Sequence, residues 1–407
     1  MSEWKEVIIE DIKANGPYAL STGPFGSAIS SQFFVEKGIP VIRGSNLSAD
    51  TSKRLIENDF AFITEEKAKE FARSKTKIGD LIFTCWGTIN QIGLIEHNSK
   101  FSEYVISNKQ MKLSPDPEKA DSLFLYYLFS SPNYQNQIIG NNIGSSVPGF
   151  NLGQLRNMSL LLPTLSEQQS IVSILTSLDD KIDLLQRQNK TLEAMAETLF
   201  RQWFVEEAEE SWEEMAISNI IDVRDGTHDS PKQVEDGFHL ITSKHLKESG
   251  LDFLNAYKIS ESDFIYVNKR SRVEKNDILF SMIGTLGLIH FVDTEPNFAI
   301  KNIGLFKTSQ NTSFSYFLYL LLKSTLGQQF IFESASGSTQ EYITLSSLRA
   351  FKFKYPGENK IIEFHIFITP YFNKIFSNKN QLQSLIELRD TLLPKLMNAE
   401  INVKSTS

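Results

Sequence analysis

The sequence predicts an α+β protein: two tandem-duplicated α/β domains separated by two long helices that pack as an antiparallel coiled coil. Three observations carry this. Between Leu165 and Phe204, residues Ile171, Leu175, Leu178, Ile182, Leu185, Asn189, Leu192, Ala196, Leu199 and Trp203 recur at alternating steps of four and three, the spacing of a coiled-coil seam. Adding 193 to these numbers reaches Phe364, Ile368, Tyr371, Ile375, Asn378, Leu382, Leu385, Arg389, Leu392 and Leu396, so the same seam returns near the C-terminus, with Ile361 one step ahead of it. The mixed β and turn pattern that precedes the first seam also recurs, between the two seams.

Taken in order, the elements divide the chain into a domain over residues 1–162, a helix over 163–205, a second domain over 206–355 with an acidic linker over 206–214 at its start, a second helix over 356–400, and a tail over 401–407. In the first domain Ile39-Pro40-Val41-Ile42-Arg43 and Asp80-Leu81-Ile82-Phe83-Thr84 read as strands, punctuated by Gly79-Asp80 and Trp86-Gly87. Gly23-Pro24-Phe25-Gly26-Ser27 reads as a tight loop, because proline and two glycines interrupt either regular structure. Ser122 to Tyr134 reads as one apolar helix ended near Pro132.

The second domain repeats these marks. Ile241-Thr242-Ser243-Lys244-His245-Leu246 stands where Ile42-Arg43-Gly44-Ser45-Asn46-Leu47 stood, and Asn276-Asp277-Ile278-Leu279-Phe280 stands for Gly79-Asp80-Leu81-Ile82-Phe83. Tyr316 to Leu321 matches the apolar helix, Gly337-Ser338 matches Gly144-Ser145, and Pro356 matches Pro163. The offset drifts in the front of the repeat and settles in its back, so insertions fall in domain loops while the helices keep register. Pro370 lies inside the second seam and is expected to kink or restart that helix. Asn189 and Asn378 are polar seam positions that either meet across an antiparallel pair, fixing its register, or each find water. About 36 residues in each helix give a rod of roughly 50 Å.

Composition bounds the function. The chain has 407 residues, one cysteine and a net charge of −8. A lone Cys85 excludes an internal disulfide and a multi-thiolate zinc site within one chain, and reads as a buried strand residue. No run reaches the roughly 18 apolar residues of a membrane span, and Met1-Ser2-Glu3-Trp4-Lys5-Glu6 lacks signal-peptide features, so a cytoplasmic protein is expected. Acidity argues against a phosphate-rich partner, but six glutamates between Glu206 and Glu214 supply six of the eight net negative charges. Basic clusters lie elsewhere, at Lys53-Arg54, Arg73 to Lys77 and Lys269-Arg270-Ser271-Arg272.

Catalytic signatures are absent. There is no Asp/Asn-Pro-Pro-aromatic loop of an adenine methyltransferase, no Gly-x-x-x-x-Gly-Lys-Ser/Thr phosphate cradle and no His-Glu-x-x-His. Asp59 with Glu65 and Lys67 has the outline of a metal-dependent nuclease site, a spacing that charged helices also produce by chance. The six histidines are scattered.

The order of Gly23-Pro24-Phe25-Gly26-Ser27, Ile39 to Leu47, Ser166-Glu167-Gln168-Gln169-Ser170-Ile171, Leu178-Asp179-Asp180-Lys181-Ile182, Leu199 to Phe204, Asp225-Gly226-Thr227-His228 and Leu388 to Met397 resembles the specificity subunit of type I restriction-modification systems, over essentially the whole chain. It departs where Ser166-Glu167-Gln168-Gln169 should recur, reading Gly357-Glu358-Asn359-Lys360. The resemblance implies a non-catalytic reader of double-stranded DNA. Each domain would be a target-recognition domain for one half of a split, asymmetric site, and the helices a ruler between halves about 34 Å apart. Two methyltransferase subunits would dock along the helices and restriction subunits would join them. No cofactor or metal is expected on this chain; S-adenosylmethionine, ATP and magnesium would belong to the partners.

The candidate DNA-binding residues are polar and basic loop positions. In the first domain they are Ser21, Thr22, Phe25, Ser27, Arg43, Asn46, Lys53, Arg54, Lys75, Lys77, Asn90 and Lys109; in the second, Thr227, His228, Lys232, Lys244, His245, Lys269, Arg270, Arg272 and Lys301. Arginine pairs bidentately with guanine and asparagine with adenine, while lysine more often holds phosphate. Two other readings use the same residues differently: a nuclease built on Asp59, Glu65 and Lys67, and a coiled-coil adaptor that binds only protein.

Overall fold

The computed structural model describes residues 4–143, 147–337, 341–401 and 403; Gly144, Ser145 and Ser338 of the repeat, the first three residues and most of the tail lie outside the described residues. The chain divides into two compact units, one of residues 1–185 with 381–407, the other of residues 186–380. Each unit therefore holds one globular lobe and half of each long helix.

In the first unit the strands are β1 (Lys5–Ile8), β2 (Leu20–Thr22), β3 (Ile39–Ile42), β4 (Ala61–Ile63), β5 (Lys75–Thr76), β6 (Leu81–Thr84), β7 (Ile92–Leu94), β8 (Tyr104–Ile106), β9 (Gln110–Leu113) and β10 (Ser159–Leu162). They form one sheet of order β2-β9-β6-β7, a second of order β4-β3-β8-β5, and the ribbon β1-β10. The helices are α1 (Ile9–Ile12), α2 (Glu65–Lys69), α3 (Ser122–Ser130), α4 (Pro132–Gly140), α5 (Leu152–Arg156) and the long α6 (Leu165–Arg201).

The second unit repeats this plan. Its strands are β11 (Glu213–Ala216), β12 (Val223–Asp225), β13 (Phe238–Thr242), β14 (Leu246–Lys247), β15 (Gly250–Leu251), β16 (Lys258–Ile259), β17 (Ile278–Ser281), β18 (Ile289–Phe291), β19 (Phe298–Lys301), β20 (Ile303–Phe306) and β21 (Lys352–Tyr355). The order β12-β20-β17-β18 matches the first sheet, β16-β13-β19 the second, and β11-β21 the ribbon. In both lobes the parallel strand pair is equivalent, β3 with β8 and β13 with β19. Helices α7 (Glu261–Ser271), α8 (Thr312–Lys323), α9 (Thr325–Ser334) and α10 (Leu345–Ala350) follow, then α11 (Glu358–Met397). The hairpin β14-β15 has no partner in the first lobe's sheets, as an insertion in a loop should behave.

The recurring Gly79-Asp80 and Asn276-Asp277 have a shared physical cause. Gly79 (φ +89°) and Asn276 (φ +71°) turn the chain in the left-handed region, open to glycine and tolerated by asparagine. The buried carboxylate that follows accepts the backbone N–H of Lys77 (3.0 Å) or Glu274 (2.8 Å). It also faces a buried lysine, Lys112 at 3.6 Å or Lys307 at 2.6 Å. Burial lifts the Asp80 pKa and lowers that of Lys112.

Pro132 does more than end a helix. The Asp121 carboxylate starts α3 by accepting the N–H groups of Leu123 and Phe124, both at 2.9 Å. After α3 ends at Ser130, Pro132 opens α4 at the first helical position, where its missing donor is no loss. Phe124 to Phe129 are all buried, so α3 is apolar around its whole circumference.

The long helices follow their seams. Ile171, Leu175, Ile182, Leu185, Asn189 and Ala196 are buried, as are Ile361, Phe364, Ile368, Ile375, Asn378, Arg389 and Leu396. In the first unit Ile171 and Leu175 share a core with Leu393, Leu396 and Met397, and Asp179 faces Arg389 at 3.4 Å. In the second, Asn189 meets Asn378 at 2.8 Å and Phe200 meets Phe364 at 6.2 Å between ring centroids. One number rises as the other falls, so the pairing is antiparallel.

Two expectations are corrected. Pro370 does not restart its helix, since α11 is continuous from Glu358 to Met397. The carbonyl it deprives of a donor belongs to Ile366, which is exposed, so water can serve it. The acidic linker is shorter than 206–214. One π-helical turn, Gln202–Glu206, extends α6 at one side, and Glu213 and Glu214 enter β11 opposite Tyr355 and Lys354 at the other.

Candidate nucleic-acid interface

In the first lobe, β2, β3, β6 and β8 all end, and β9 begins, at one edge of the two sheets. The loops leaving that edge are tied through their backbones: Gly23 N–H donates to Gln110 O (2.9 Å), Cys85 N–H to Lys109 O (2.7 Å) and Ser107 N–H to Ile42 O (2.9 Å). Gly23 is required here, because a Cβ would lie 1.8 Å from Ser107 O. The same edge of the second lobe has Gly226, whose Cβ would lie 2.6 Å from Ile300 O.

This edge gathers Thr22, Phe25, Ser27, Arg43, Asn90 and Lys109. Phe25 is 76% exposed and lies under the Arg73 guanidinium, 5.0 Å from its ring centroid. Arg43 donates to Asp59 O (2.9 Å) and stands 5.9 Å over Phe34, half-buried. None of the segments 23–28, 43–46, 85–91 and 107–110 contains an aspartate or glutamate, although the chain has 49 of them. Asp59, exposed, leads into β4 at the same edge beside Arg43, so the acid-free segments lie next to one carboxylate.

Other first-lobe candidates sit apart from it. Lys77 precedes β6 and so lies at the strand's opposite end, exposed, while Lys75 pairs with Glu103 at 2.6 Å. Lys53 is exposed near Asp50 (3.9 Å). Three candidates turn inward, which corrects the expectation that they face a ligand. Ser21 is buried and donates to Arg73 O (2.5 Å). Asn46 is fully buried; its Oδ1 accepts from Arg43 N–H (3.0 Å) and its Nδ2 donates to Ile56 O (3.0 Å). Arg54 fills a charged joint between lobe and helix, with Glu96 at 3.4 Å, Asp179 at 3.3 Å and the Tyr127 hydroxyl at 2.8 Å.

At the equivalent edge of the second lobe, His228 bonds through Nδ1 to Asn302 Oδ1 (2.8 Å) and through Nε2 to Asp225 (3.0 Å), whose other oxygen takes the Arg270 guanidinium. Lys301 donates to Ser230. Lys232, Lys244, Lys269 and Arg272 are exposed. A cleft of about 590 Å³ opens between the turn carrying Ser243, Lys244 and Lys247 and the loop carrying Ile283 to Thr285, with Asn302 beside it.

Two candidates in this lobe also turn inward. Thr227 is buried and its hydroxyl accepts from Asp229 N–H (3.1 Å). His245 is buried, and its Nδ1 accepts from Thr242 N–H (3.1 Å). It therefore does for its turn what Asn46 does for the first lobe's. Burial, with Lys244 adding repulsion, holds the His245 pKa below the usual imidazole range, keeping the ring neutral as an acceptor must be.

Arg73 and Asn302 belong to these edges although neither was among the sequence candidates. The signal for Arg73 was present: Arg73 and Arg270 are separated by the same 197 positions as Asp80 and Asp277. The nuclease outline dissolves. Lys67 is taken up by Glu70 (2.7 Å) and the Phe33 ring (4.1 Å), and among the described residues no group of three or more His, Cys, Asp or Glu could hold a metal. Cys85 is buried, its thiol pushed up to about 12 by burial. No helix among the described residues is long and apolar enough to cross a membrane.

Comparison with known proteins gives a consistent match. The family model for the type I restriction modification DNA specificity domain matches residues 1–194 and again 209–388. The chain is 24% identical over 366 residues to the MjaIX specificity subunit of Methanocaldococcus jannaschii, covering 84% of this chain and 82% of that one. It is 23% identical over 482 aligned positions to the HindI specificity subunit of Haemophilus influenzae, covering 98% and 100%. Its fold is similar to the crystal structure of the type I restriction-modification S subunit from M. genitalium, with a TM-score of 0.61 at 16% identity over 97% of this chain and 96% of that one.

Proposed function

This chain belongs to the family of type I restriction-modification DNA specificity proteins, and on that premise we propose that it reads a bipartite, asymmetric site in double-stranded DNA. It is a specificity subunit, and methyl transfer and cleavage are the work of other subunits. Each lobe reads one half of the site, and the antiparallel helix pair sets the gap between halves. Two adenine-methylating subunits dock along the helices, and restriction subunits join through them; S-adenosylmethionine, ATP and magnesium act on those partners. The candidates at the two loop edges that are not buried carry the reading, with Arg43, Asn90 and Arg270 able to reach base edges and the lysines able to hold phosphate.

The observation that supports this best is the repetition of one topology with different loop residues. Two copies of a scaffold that display different side chains at the same edge suit two different half-sites, whereas a protein-only adaptor gives no reason for that pattern. The test is to express the chain with its methylating partner and map methylated adenines across the host genome. A split motif with a fixed spacer is expected. A continuous motif, or no methylation that depends on this chain, would overturn the proposal.

A further inference from the structure

In both lobes a two-residue bridge closes the loop edge, and it is built the same way twice. Trp86 pairs with Gly149 in the first lobe and Ile283 with Tyr342 in the second. In the first, Gly87 N–H donates to Pro148 O (2.9 Å) and Phe150 N–H to Cys85 O (2.8 Å). In the second, Gly284 N–H donates to Glu341 O (3.1 Å) and Ile343 N–H to Met282 O (2.9 Å). The backbone is conserved between the copies, but the large side chain has changed strands. The first lobe has its ring at position 86 over a glycine; the second has its ring at position 342 opposite an isoleucine.

Both rings are left in solvent, Trp86 and Tyr342 each 44% exposed. Each ring is half-exposed on a pinned backbone, with an apolar face available to a partner. The support beneath Trp86 is tight: a Cβ at Gly149 would stand 2.5 Å from the indole. The surroundings point to one kind of occupant. The Trp86 loop is hydrogen-bonded to Lys109, and neither segment 85–91 nor 107–110 carries an acid; Ile283, across from Tyr342, lines a cleft that holds Lys244, Lys247 and Asn302 with one acid, Glu248. A flat apolar group flanked by cations suits a base edge inside a groove better than a phosphate.

We propose that this bridge is a specificity determinant in each lobe: Trp86 in the first and Tyr342 in the second make apolar contact with base pairs of their respective half-sites. The proposal rests on the DNA-reading function given above. An apolar side chain discriminates by meeting a thymine methyl or by entering a deformable base step. Because the ring comes from opposite strands of the bridge, the two half-sites are read at different positions, in keeping with an asymmetric site.

The test uses the full chain in complex with its methylating subunit and duplexes carrying the mapped site or single-base variants of it. Trp86→Ala should weaken cognate binding about 5- to 150-fold and abolish discrimination at one or two base pairs of one half-site only. Gly149→Ala, which keeps the indole but displaces it, should reproduce that loss. Tyr342→Ala should act only on the other half-site. Trp86→Phe, with a matching melting temperature, guards against a folding defect and should retain part of the discrimination. Unchanged preferences in both halves, a uniform loss on all sequences, or loss of the methylating subunit with DNA preference intact would each overturn the assignment. A wild-type complex without sequence preference would instead sink the proposed function itself.

Discussion

Asn46 and His245 show how a residue type can mislead. Both are polar, both sit after a strand at the loop edge, and both are buried staples of a 3-10 turn. Asn46→Ala should therefore cost about 1–3 kcal/mol of stability, because the Arg43 N–H and the Ile56 carbonyl lose their partner in the interior; unchanged thermal unfolding would contradict this. Arg43→Ala is the opposite case. Arg43 is half-buried at the rim, and the loss of about 1–3 kcal/mol should appear in binding to the cognate site, read by gel shift with the full complex. Histidine chemistry separates the two units by pH. His245, His290 and His365 all lie in the second unit and are held below the usual imidazole pKa by burial, His290 down to about 4. A folded pKa below the unfolded value of about 6.5 means the unfolded chain binds more protons as pH falls through 6, so this unit should lose stability between pH 7 and pH 5. In the first unit the raised pKa values of Asp80, Glu96 and Asp179 have the opposite sign, because the folded state takes up the proton first. Amide hydrogen exchange at the two pH values should show protection falling in residues 186–380 more than in the first unit; equal loss would contradict the account.

The long helices are held differently in the two units. In the first, Asp179 is shared by Tyr127 (2.5 Å), Arg54 (3.3 Å) and Arg389 (3.4 Å), a buried charged joint. In the second, Tyr316 stacks on Phe372 (4.1 Å) and Phe291 on Phe376 (5.3 Å), with Lys323 bridging to Glu197 (2.8 Å) at the margin. The polar step in the second unit is the Asn189–Asn378 pair. Replacing Asn189 alone by leucine removes a partner from a buried amide and should cost about 1–3 kcal/mol. Replacing both by leucine should recover much of it, a coupling of about 0.5–3 kcal/mol in a double-mutant cycle. Additive effects would mean the two asparagines do not depend on each other. Much of this element-scale structure was legible beforehand, since a seam of period 3.5 repeated at a fixed offset leaves few ways to bury both faces. What the pattern could not reveal was that the helix would run on through Pro370, because that depends on which carbonyl faces water, or that Arg389 in the seam would find Asp179.

At the scale of the whole molecule, the duplication is the organising fact, and the candidate site was legible only in part for the same reason. Spacing locates an edge, so Phe25, Arg43 and Lys109 could be named; it does not tell an exposed loop residue from a buried one, so Ser21, Arg54 and Thr227 were named beside them. Trp86 and Tyr342 escaped because the ring changes strands between copies: Ile283 stands 197 positions after Trp86 and Tyr342 193 positions after Gly149, so the aligned positions carry residues of different kinds. The central claim is that each lobe is an independent reader on a shared strut. The most direct measurement exchanges residues 206–355 for the corresponding lobe of another family member, co-expresses the chimera with the methylating subunit, and maps methylated adenines. The account predicts that one half of the motif changes while the other half and the spacer stay as they were; a change in both halves, or in the spacer alone, would contradict it.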